Sequence, residues 1–265
     1  MNRLPSTAYE KVWGSPATEP WYRNPEHRAV GEVWFSASDS LPLLVKFLFT
    51  SAALSVQVHP DDEYAAEHHN SRGKTEMWHI LRAEPEAKIA LGLREKVTRD
   101  RLREAAQNGE IVDLLNWIPA RPGDTFFIPA GTVHAIGGGL ALCEVQQHSD
   151  VTYRLYDYGR PRELHLDDGI AVSHLEPRNG VVKARTTASH CELLVECPYF
   201  RTERLIVNGS WMSDPPARNA IYVVLEGEGF LANQPFQAGE AWEVSAADQP
   251  FEIAGRKATF LITAP

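Results

Sequence analysis

A mainly β fold, built as two barrels of one kind with a helical insert in the first, follows from three features of the chain. Short strand-like runs recur along most of its 265 residues. Turn residues punctuate them at regular intervals: Pro122-Gly123-Asp124, Pro129-Ala130-Gly131, Gly137-Gly138-Gly139 and Gly227-Glu228-Gly229. The two halves also repeat one another. Many evenly spaced short strands with such turns describe a sandwich or barrel, jelly rolls included.

Taken in order, "PLLVKFLF", "LSVQVH", "EMWHIL", "AKIALGL", "DTFFIP", "GTVHAI" and "LALCEVQQ" supply the strands of the first part. One segment breaks the pattern. "VTRDRLREAAQNGEIVDLLN" offers Thr98 as an N-cap and Asn108-Gly109 as a stop, with Leu102, Ala105 and Ala106 on one helical stripe. A helical excursion near residues 97–117 is therefore expected between strands. Residues 159–180 lose the strand pattern and read as a connector, part of it helical. "CELLVE", "FRTERLIV", "AIYVVLEG", "EAWEVS", "FEIAG" and "ATFLITA" fill the last third.

The repeat is weak in identity but consistent in spacing. "EMWHILRAE" from Glu76 aligns with "AIYVVLEGE" from Ala220, and "GDTFFIPAGTVH" from Gly123 aligns with "GEAWEVSAADQP" from Gly239. The first interval is longer by about the helical excursion.

Composition bounds the function. With 26 basic and 35 acidic residues the formal charge is −9, which argues against a nucleic-acid surface, since phosphate backbones call for a basic stripe. A small anionic substrate needs only a few local cations. No apolar run approaches the ~20 residues of a membrane span, and "MNRLPSTAYEKVWG" lacks the apolar core of a signal peptide. Cys143, Cys191 and Cys197 show no Cys-x-x-Cys spacing and read as buried free thiols. A cytoplasmic protein is expected. No motif speaks to oligomeric state.

One constellation stands out. Gln57 and His59 lie two apart in a strand and so face the same side. Glu76 opens the next strand, and His134 follows a Pro-x-Gly turn. An amide, two imidazoles and a carboxylate can then converge at one barrel mouth. Mixed nitrogen and oxygen donors suit zinc, and also manganese, iron or cobalt. Taken singly, each has a plain structural reading. His79, between Trp78 and Ile80, is expected to be a partly buried, hydrogen-bonded side chain. His27, His68, His69, His165, His174 and His190 are expected in solvated loops. "HPDDE" reads as scaffold: Pro60 ends the strand, and Asp61, Asp62 and Glu63 suit the start of a short helix. Trp13 either closes a rim or packs in the core. The repeat adds weight to the set, because Ala220 stands where Glu76 should be and Pro250 where His134 should be. The same strands and turns form without those donors.

"GDTFFIPAGTVH" fits the cupin pattern Gly-x5-Pro-x-Gly-x2-His residue for residue. Together with "VWGS", "PLLVKFLFTSAALSVQVHPDDEYA", "GKTEMWHIL", "IPAGTVHAIGGG" and "EVQQHSDVTYRLYDYGRPRELH", it makes the chain resemble type I phosphomannose isomerases in a short bacterial form, over roughly residues 8–175. The resemblance implies two cupin-like jelly-roll (double-stranded β-helix) barrels. The first, residues 1–175, would be catalytic; the second, 176–265, would be lean and without metal ligands. It implies one divalent metal, usually zinc, held at Gln57, His59, Glu76 and His134. It also implies functional roles at Lys74 and at the Asp-x3-Arg pair, Asp150 and Arg154. The reaction implied is interconversion of mannose 6-phosphate and fructose 6-phosphate.

That chemistry moves a proton between C1 and C2, with charge growing on the carbonyl oxygen of a cis-enediolate. Arg154 is expected to stabilise that charge or the substrate. Lys74 suits either proton transfer or phosphate binding, and Asp150 suits orienting Arg154 or ring opening. Two competing readings are a cupin that binds a sugar phosphate without turning it over, and an iron oxygenase. The first would lack proton-transfer groups, whereas Lys74, Asp150 and Arg154 are all present. The second usually has His-x-His, and here Gln57 replaces the first histidine.

Overall fold

The computed structural model describes residues 1–38, 41–188 and 190–265. The chain opens with β1 (Asn2–Arg3), β2 (Ser6–Ser15), β3 (Val30–Phe35), β4 (Leu43–Thr50) and β5 (Val56–Val58). Helix α1 (Asp62–His69) leads to β6 (Glu76–Ala83) and β7 (Lys88–Leu93). The excursion then follows as α2 (Arg99–Asn108) and α3 (Ile111–Leu114). Next come β8 (Leu115–Pro119), β9 (Thr125–Ile128), β10 (His134–Ile136), β11 (Leu140–Gln147) and β12 (Tyr153–Tyr156). Helix α4 (Leu166–Val172) lies in the connector. The last part holds β13 (Arg185–Ala188), β14 (Cys191–Glu196), β15 (Arg201–Ser213), β16 (Ala220–Leu231), β17 (Gln234–Gln237), β18 (Ala241–Val244) and β19 (Phe251–Ala264).

The helix signals in the sequence act as local chemistry requires. Thr98 caps α2 by accepting from Arg101 N, and Gly109 ends it at φ 89°, a left-handed conformation that suits glycine. Leu102, Ala105 and Ala106 are its buried stripe. Asp61 caps α1 by accepting from Tyr64 N, so the acidic run after Pro60 is scaffold. Two expectations differ. "FEIAG" and "ATFLITA" form one continuous strand, β19, bent at Lys257 (φ 51°) rather than broken. His68 and His69 close α1 instead of lying in a loop: His68 stacks on Tyr64, and His69 Nε2 meets Tyr153 OH at 2.5 Å.

Three sheets form. β2, β3, β4, β11, β6 and β9 make one of six strands, and β12, β5, β10, β7 and β8 make one of five. Their facing sides share a core containing Leu48, Trp78, Leu142, Phe126, Leu91 and Ile136. Alternation dictates which residues enter it: on β6 Trp78 and Ile80 point in, while Met77 joins a separate core on the other face. The outer face of the five-stranded sheet, with Val56, Val58, Val133 and Ala135, is covered by the α2, α3 and α4 segment. The eight-stranded sheet, β13–β19 plus β1, encloses its own core around Tyr222, Trp242, Val244 and Phe260. Ile221, Val223 and Leu261 pack it against Phe47, Met77 and Cys143 of the six-stranded sheet.

The internal repeat extends to register. β6 pairs with β9 as Glu76↔Ile128, Met77↔Phe127, Trp78↔Phe126 and His79↔Thr125. β16 pairs with β18 as Ala220↔Val244, Ile221↔Glu243, Tyr222↔Trp242 and Val223↔Ala241. These are the same four pairs under the sequence alignment. β11 and β19 match likewise: Trp78↔Glu144 corresponds to Tyr222↔Ile262, and Ile80↔Leu142 to Val224↔Phe260.

Candidate metal centre and active site

Strand alternation delivers three of the expected side chains to the space between the five- and six-stranded sheets. On β5, Val56 and Val58 are buried toward the helices, so Gln57 faces the opposite way. On β10, Val133 and Ala135 flank His134 in the same manner, and His134 lies directly opposite Gln57 in register. Glu76 enters from β6, on the same face as Trp78. His59 follows β5 just before Pro60, with its carbonyl accepting from Gly131 N at 2.8 Å.

His59, Glu76 and His134 are buried, and their donor atoms all lie within 4.8 Å of one another. His59 Nε2 is 3.5 Å from Glu76 Oε2, and His134 Nε2 is 3.6 Å from Glu76 Oε1. Hydrogen bonding fixes both tautomers. His59 Nδ1 donates to Val151 O at 3.1 Å, and His134 Nδ1 donates to Thr132 O at 2.8 Å. Each Nε2 therefore presents a lone pair inward. Among the described residues, His59 Nε2 and both Glu76 oxygens are buried without a hydrogen bond, the Lys74 ammonium standing 3.4 Å from Glu76 Oε2. Gln57 completes the set, its amide nitrogen 3.3 Å from His134 Nε2. A half-turn of the amide exchanges nitrogen and oxygen and brings the oxygen to that position.

Two imidazole lone pairs and a carboxylate converge with only the Lys74 ammonium and the Gln57 amide nitrogen beside them, a costly arrangement that a cation between them would relieve. The spacings fit one: zinc bonds of about 2.0–2.2 Å in tetrahedral geometry place ligand atoms roughly 3.4 Å apart. Protonation agrees. Burial lowers both imidazoles, His134 to about 4 and His59 well below its usual value, so each is a neutral ligand. Burial and the nearby Glu144 carboxylate push Glu76 up to about 8, a field that a divalent cation would reverse. The residues thus fit a divalent metal by donor chemistry and by spacing.

A cavity of about 290 Å³ opens beside these donors, with Gln57, Lys74, Asp150 and Arg154 in its wall. All the expected catalytic residues therefore share one space. Lys74 is buried, its Nζ 3.4 Å from Glu76 Oε2. Burial pulls its pKa down, but Glu76, Glu144, Glu32 and Asp150 outweigh that and raise it, so it is an ammonium. Arg154 lies opposite Gln57 on β12, its Nη1 donating to Glu163 O at 2.8 Å and its backbone N to His165 Nδ1 at 3.2 Å. His165 thus supports the site from the foot of α4 rather than sitting free in a loop. Asp150 is exposed, and among the described residues no hydrogen bond or ion pair joins it to Arg154. Trp13 both packs in the inter-sheet core and lines the cavity.

The expected set lacks Lys46 and Glu144. They face each other across β4 and β11, with Lys46 Nζ 3.4 Å from Glu144 Oε1. Glu144 Oε2 accepts from Trp78 Nε1 at 3.1 Å, and Lys46 Nζ stands 4.4 Å over the Trp34 ring. Burial alone would raise Glu144, but Lys46 and Lys74 hold it below the usual carboxylate range. The signal was present in the sequence as a single charge inside each of two apolar runs, "LLVKFLF" and "LALCEVQQ". At the equivalent register positions of the eight-stranded sheet, Glu76 is replaced by Ala220 and Glu144 by Ile262. The polar groups belong to the site, not to the fold.

A larger cavity, about 1310 Å³, is separate and is lined by none of the four donors. It includes His79, which lies on the β6 face opposite Trp78, buried and hydrogen-bonded to Thr125 Oγ1 at 2.9 Å. The three cysteines are free, Cys143 fully buried and the other two partly so. No helix among the described residues is long and apolar enough to cross a membrane.

Comparison with known proteins agrees with the geometry. Residues 2–98 match the family model for the phosphomannose isomerase type I catalytic domain. Mannose-6-phosphate isomerase ManA of Bacillus subtilis (strain 168) is 39% identical over 220 residues, 76% of this chain and 68% of that protein. The mannose-6-phosphate isomerase of Streptococcus mutans is 38% identical over 202 residues, 73% of this chain and 64% of that protein. The crystal structure of a B. subtilis mannose 6-phosphate isomerase superposes with a TM-score of 0.90 at 27% identity, covering 100% of this chain and 99% of that one. A zinc-bound mannose 6-phosphate isomerase shares the fold at 15% identity and a TM-score of 0.79, covering 99% and 98%. The chain belongs to the type I phosphomannose isomerase family.

Proposed function

We propose that the chain interconverts mannose 6-phosphate and fructose 6-phosphate as a metal-dependent aldose–ketose isomerase, moving a proton between C1 and C2 through a cis-enediolate. The observation that carries this reading is the convergence of His59, Glu76 and His134 beside a cavity lined by Gln57, Lys74, Glu144 and Arg154. Gln57, His59, Glu76 and His134 would hold one divalent ion, zinc by donor chemistry and by the zinc-bound relative, with manganese, cobalt and iron as alternatives. When bound, that ion supplies Lewis-acid stabilisation of developing negative charge.

The remaining roles follow from position. Arg154, opposite Gln57, is placed to stabilise the charge that develops on the substrate oxygens. Lys74, beside Glu76, serves as an oxygen-directed hydrogen-bond donor. Glu144 is the buried carboxylate of the cavity that is not among the donors, and we assign it the carbon-bound proton. Asp150 at the rim is assigned to opening of the sugar ring. We likewise propose a catalytic cupin-like jelly roll over 1–175 and a lean second one over 176–265, supported by the matching strand registers.

The test is a coupled assay for fructose 6-phosphate formed from mannose 6-phosphate, on chelated protein with zinc, manganese, cobalt or iron restored. Turnover that vanishes on chelation and returns with metal supports the reading. Silence under every metal, with sugar phosphate still bound, would favour a binding protein. Full turnover by metal-free protein would refute the mechanism.

A further inference from the structure

An aldose–ketose site must also hold the end of the substrate remote from the reaction, and the cavity holds charges that the chemistry above does not use. Its three lysines are each matched by a carboxylate: Lys11 to Glu32 at 3.3 Å, Lys46 to Glu144 at 3.4 Å and Lys74 to Glu76 at 3.4 Å. The two arginines in its wall are less fully matched, one lacking a carboxylate and the other sharing one. Arg154 has no carboxylate within ion-pair distance among the described residues, and its Nε is buried without a partner. Arg162 rests on Asp157 through two parallel bonds, Nε to Oδ2 at 2.5 Å and Nη2 to Oδ1 at 2.7 Å. That leaves its Nη1 without a hydrogen bond among the described residues.

The same carboxylate also takes Arg160 Nη2 at 2.7 Å, and the Arg160 guanidinium is tied down by Asp157 O and Ala53 O. The Asp157 side chain is only 2% exposed. Two guanidiniums thus share one buried carboxylate, and a third, Arg154, stands in the same cavity wall without an ion pair among the described residues. The pKa of Arg154 is lowered first by burial and then by Arg162 and Arg160, with Asp157 and Glu163 opposing in part. Arginines that share or lack a carboxylate leave positive charge for an anion to take up, and a phosphate monoester carries roughly −1.5 to −2 at pH 7. Planar guanidiniums are the side chains that match phosphate oxygens in geometry as well as charge.

We infer that Arg162, oriented by the buried carboxylate of Asp157, anchors the phosphate group of the substrate and sets the preference for phosphorylated over free sugars. The inference rests on the sugar-phosphate reading above. Register supports the layout: Arg154 is one strand from Gln57, next to the donor set, while Arg162 enters the same cavity from the segment after β12. Asp157 is a positioning residue, since it reaches substrate only through Arg162.

The experiment uses the full-length, metal-loaded protein. KM and kcat for mannose 6-phosphate and the inhibition constant of inorganic phosphate are measured for wild type, Arg162→Ala, Arg162→Lys and Asp157→Asn. Arg103→Ala, a half-exposed α2 arginine outside the cavity, is the control. Metal content and Tm are read on every variant. The expected result is that Arg162→Ala raises KM and the phosphate inhibition constant together, each by roughly tenfold or more, with metal content retained and kcat changed far less. Arg162→Lys recovers part of the loss, and Asp157→Asn shifts both constants in the same direction. An inhibition constant within twofold of wild type in Arg162→Ala, whatever happens to kcat, would overturn the anchor; Asp157→Asn with both constants at wild-type values would overturn its positioning role. If Arg162→Ala does not fold, Arg162→Lys and Arg162→Gln carry the same comparison. If wild type shows no isomerisation, the functional reading fails separately. Calorimetric binding of inorganic phosphate then decides the anchor, which predicts tenfold weaker binding in Arg162→Ala and is overturned by equal binding.

Discussion

Gln57 and His134 sit directly opposite each other on adjacent antiparallel strands, the amide nitrogen of one 3.3 Å from Nε2 of the other. One register pair thus places two of the four donors, and the neighbouring turn places a third. Gly131 N donates to His59 O at 2.8 Å, and Gly131 O accepts from His174 N at 2.7 Å.

That turn is the first place where a small change should be felt at the centre. Gly131 has φ +79°, and a Cβ there would stand 2.6 Å from Cε1 of His174. Gly131→Ala is expected to destabilise the fold by about 1–2 kcal/mol from backbone strain alone, and more from the clash. It should also weaken metal retention, because His59 and His134 both flank the turn. Adding His174→Ala removes the clash but not the strain, so the double variant should regain only part of the lost Tm. A Gly131→Ala protein with wild-type Tm and metal content would count against this role.

Gln57, His59, Glu76 and His134 could be picked out because strand alternation, one turn and an internal repeat lacking two of them are all local properties. The caps Thr98 and Asp61 are local for the same reason. Lys46 and Glu144 needed the pairing of β4 with β11, which no short window contains. Strands β2 and β3, which carry Lys11 and Glu32, also went unread. β2 is largely exposed and rich in polar residues, so its alternation is faint.

The Lys46–Glu144 pair gives a second prediction, which separates stability from chemistry. Removing one member of a buried pair costs about 3–5 kcal/mol, whereas replacing both with apolar groups is often neutral. Lys46→Met should therefore lower the urea midpoint sharply, and Lys46→Met with Glu144→Leu should recover most of it. Turnover should fall by roughly 100-fold or more in Glu144→Gln and should not return in the apolar double variant. Recovery of activity along with stability would show the pair to be purely structural.

His79 gives a prediction in pH. Burial, assisted by Arg204, lowers its pKa from 6.5 to about 4, so the folded protein holds it neutral while the unfolded chain protonates it near pH 6.5. Between those values the unfolded state binds the extra proton, and stability falls as pH falls. The contribution is fully present above pH 6.5 and decreases by up to about 3 kcal/mol toward pH 4. Urea unfolding of wild type and His79→Gln from pH 7 to 4.5 should show wild type losing more stability on acidification. Parallel curves would contradict the assignment.

The central claim is a single divalent ion held by Gln57, His59, Glu76 and His134, and metal stoichiometry tests it most directly. Elemental analysis of chelated and zinc-reconstituted protein should find one ion per chain in wild type and almost none in His59→Ala, Glu76→Gln and His134→Ala, each still folded by circular dichroism. Folded variants retaining one ion per chain would contradict the account.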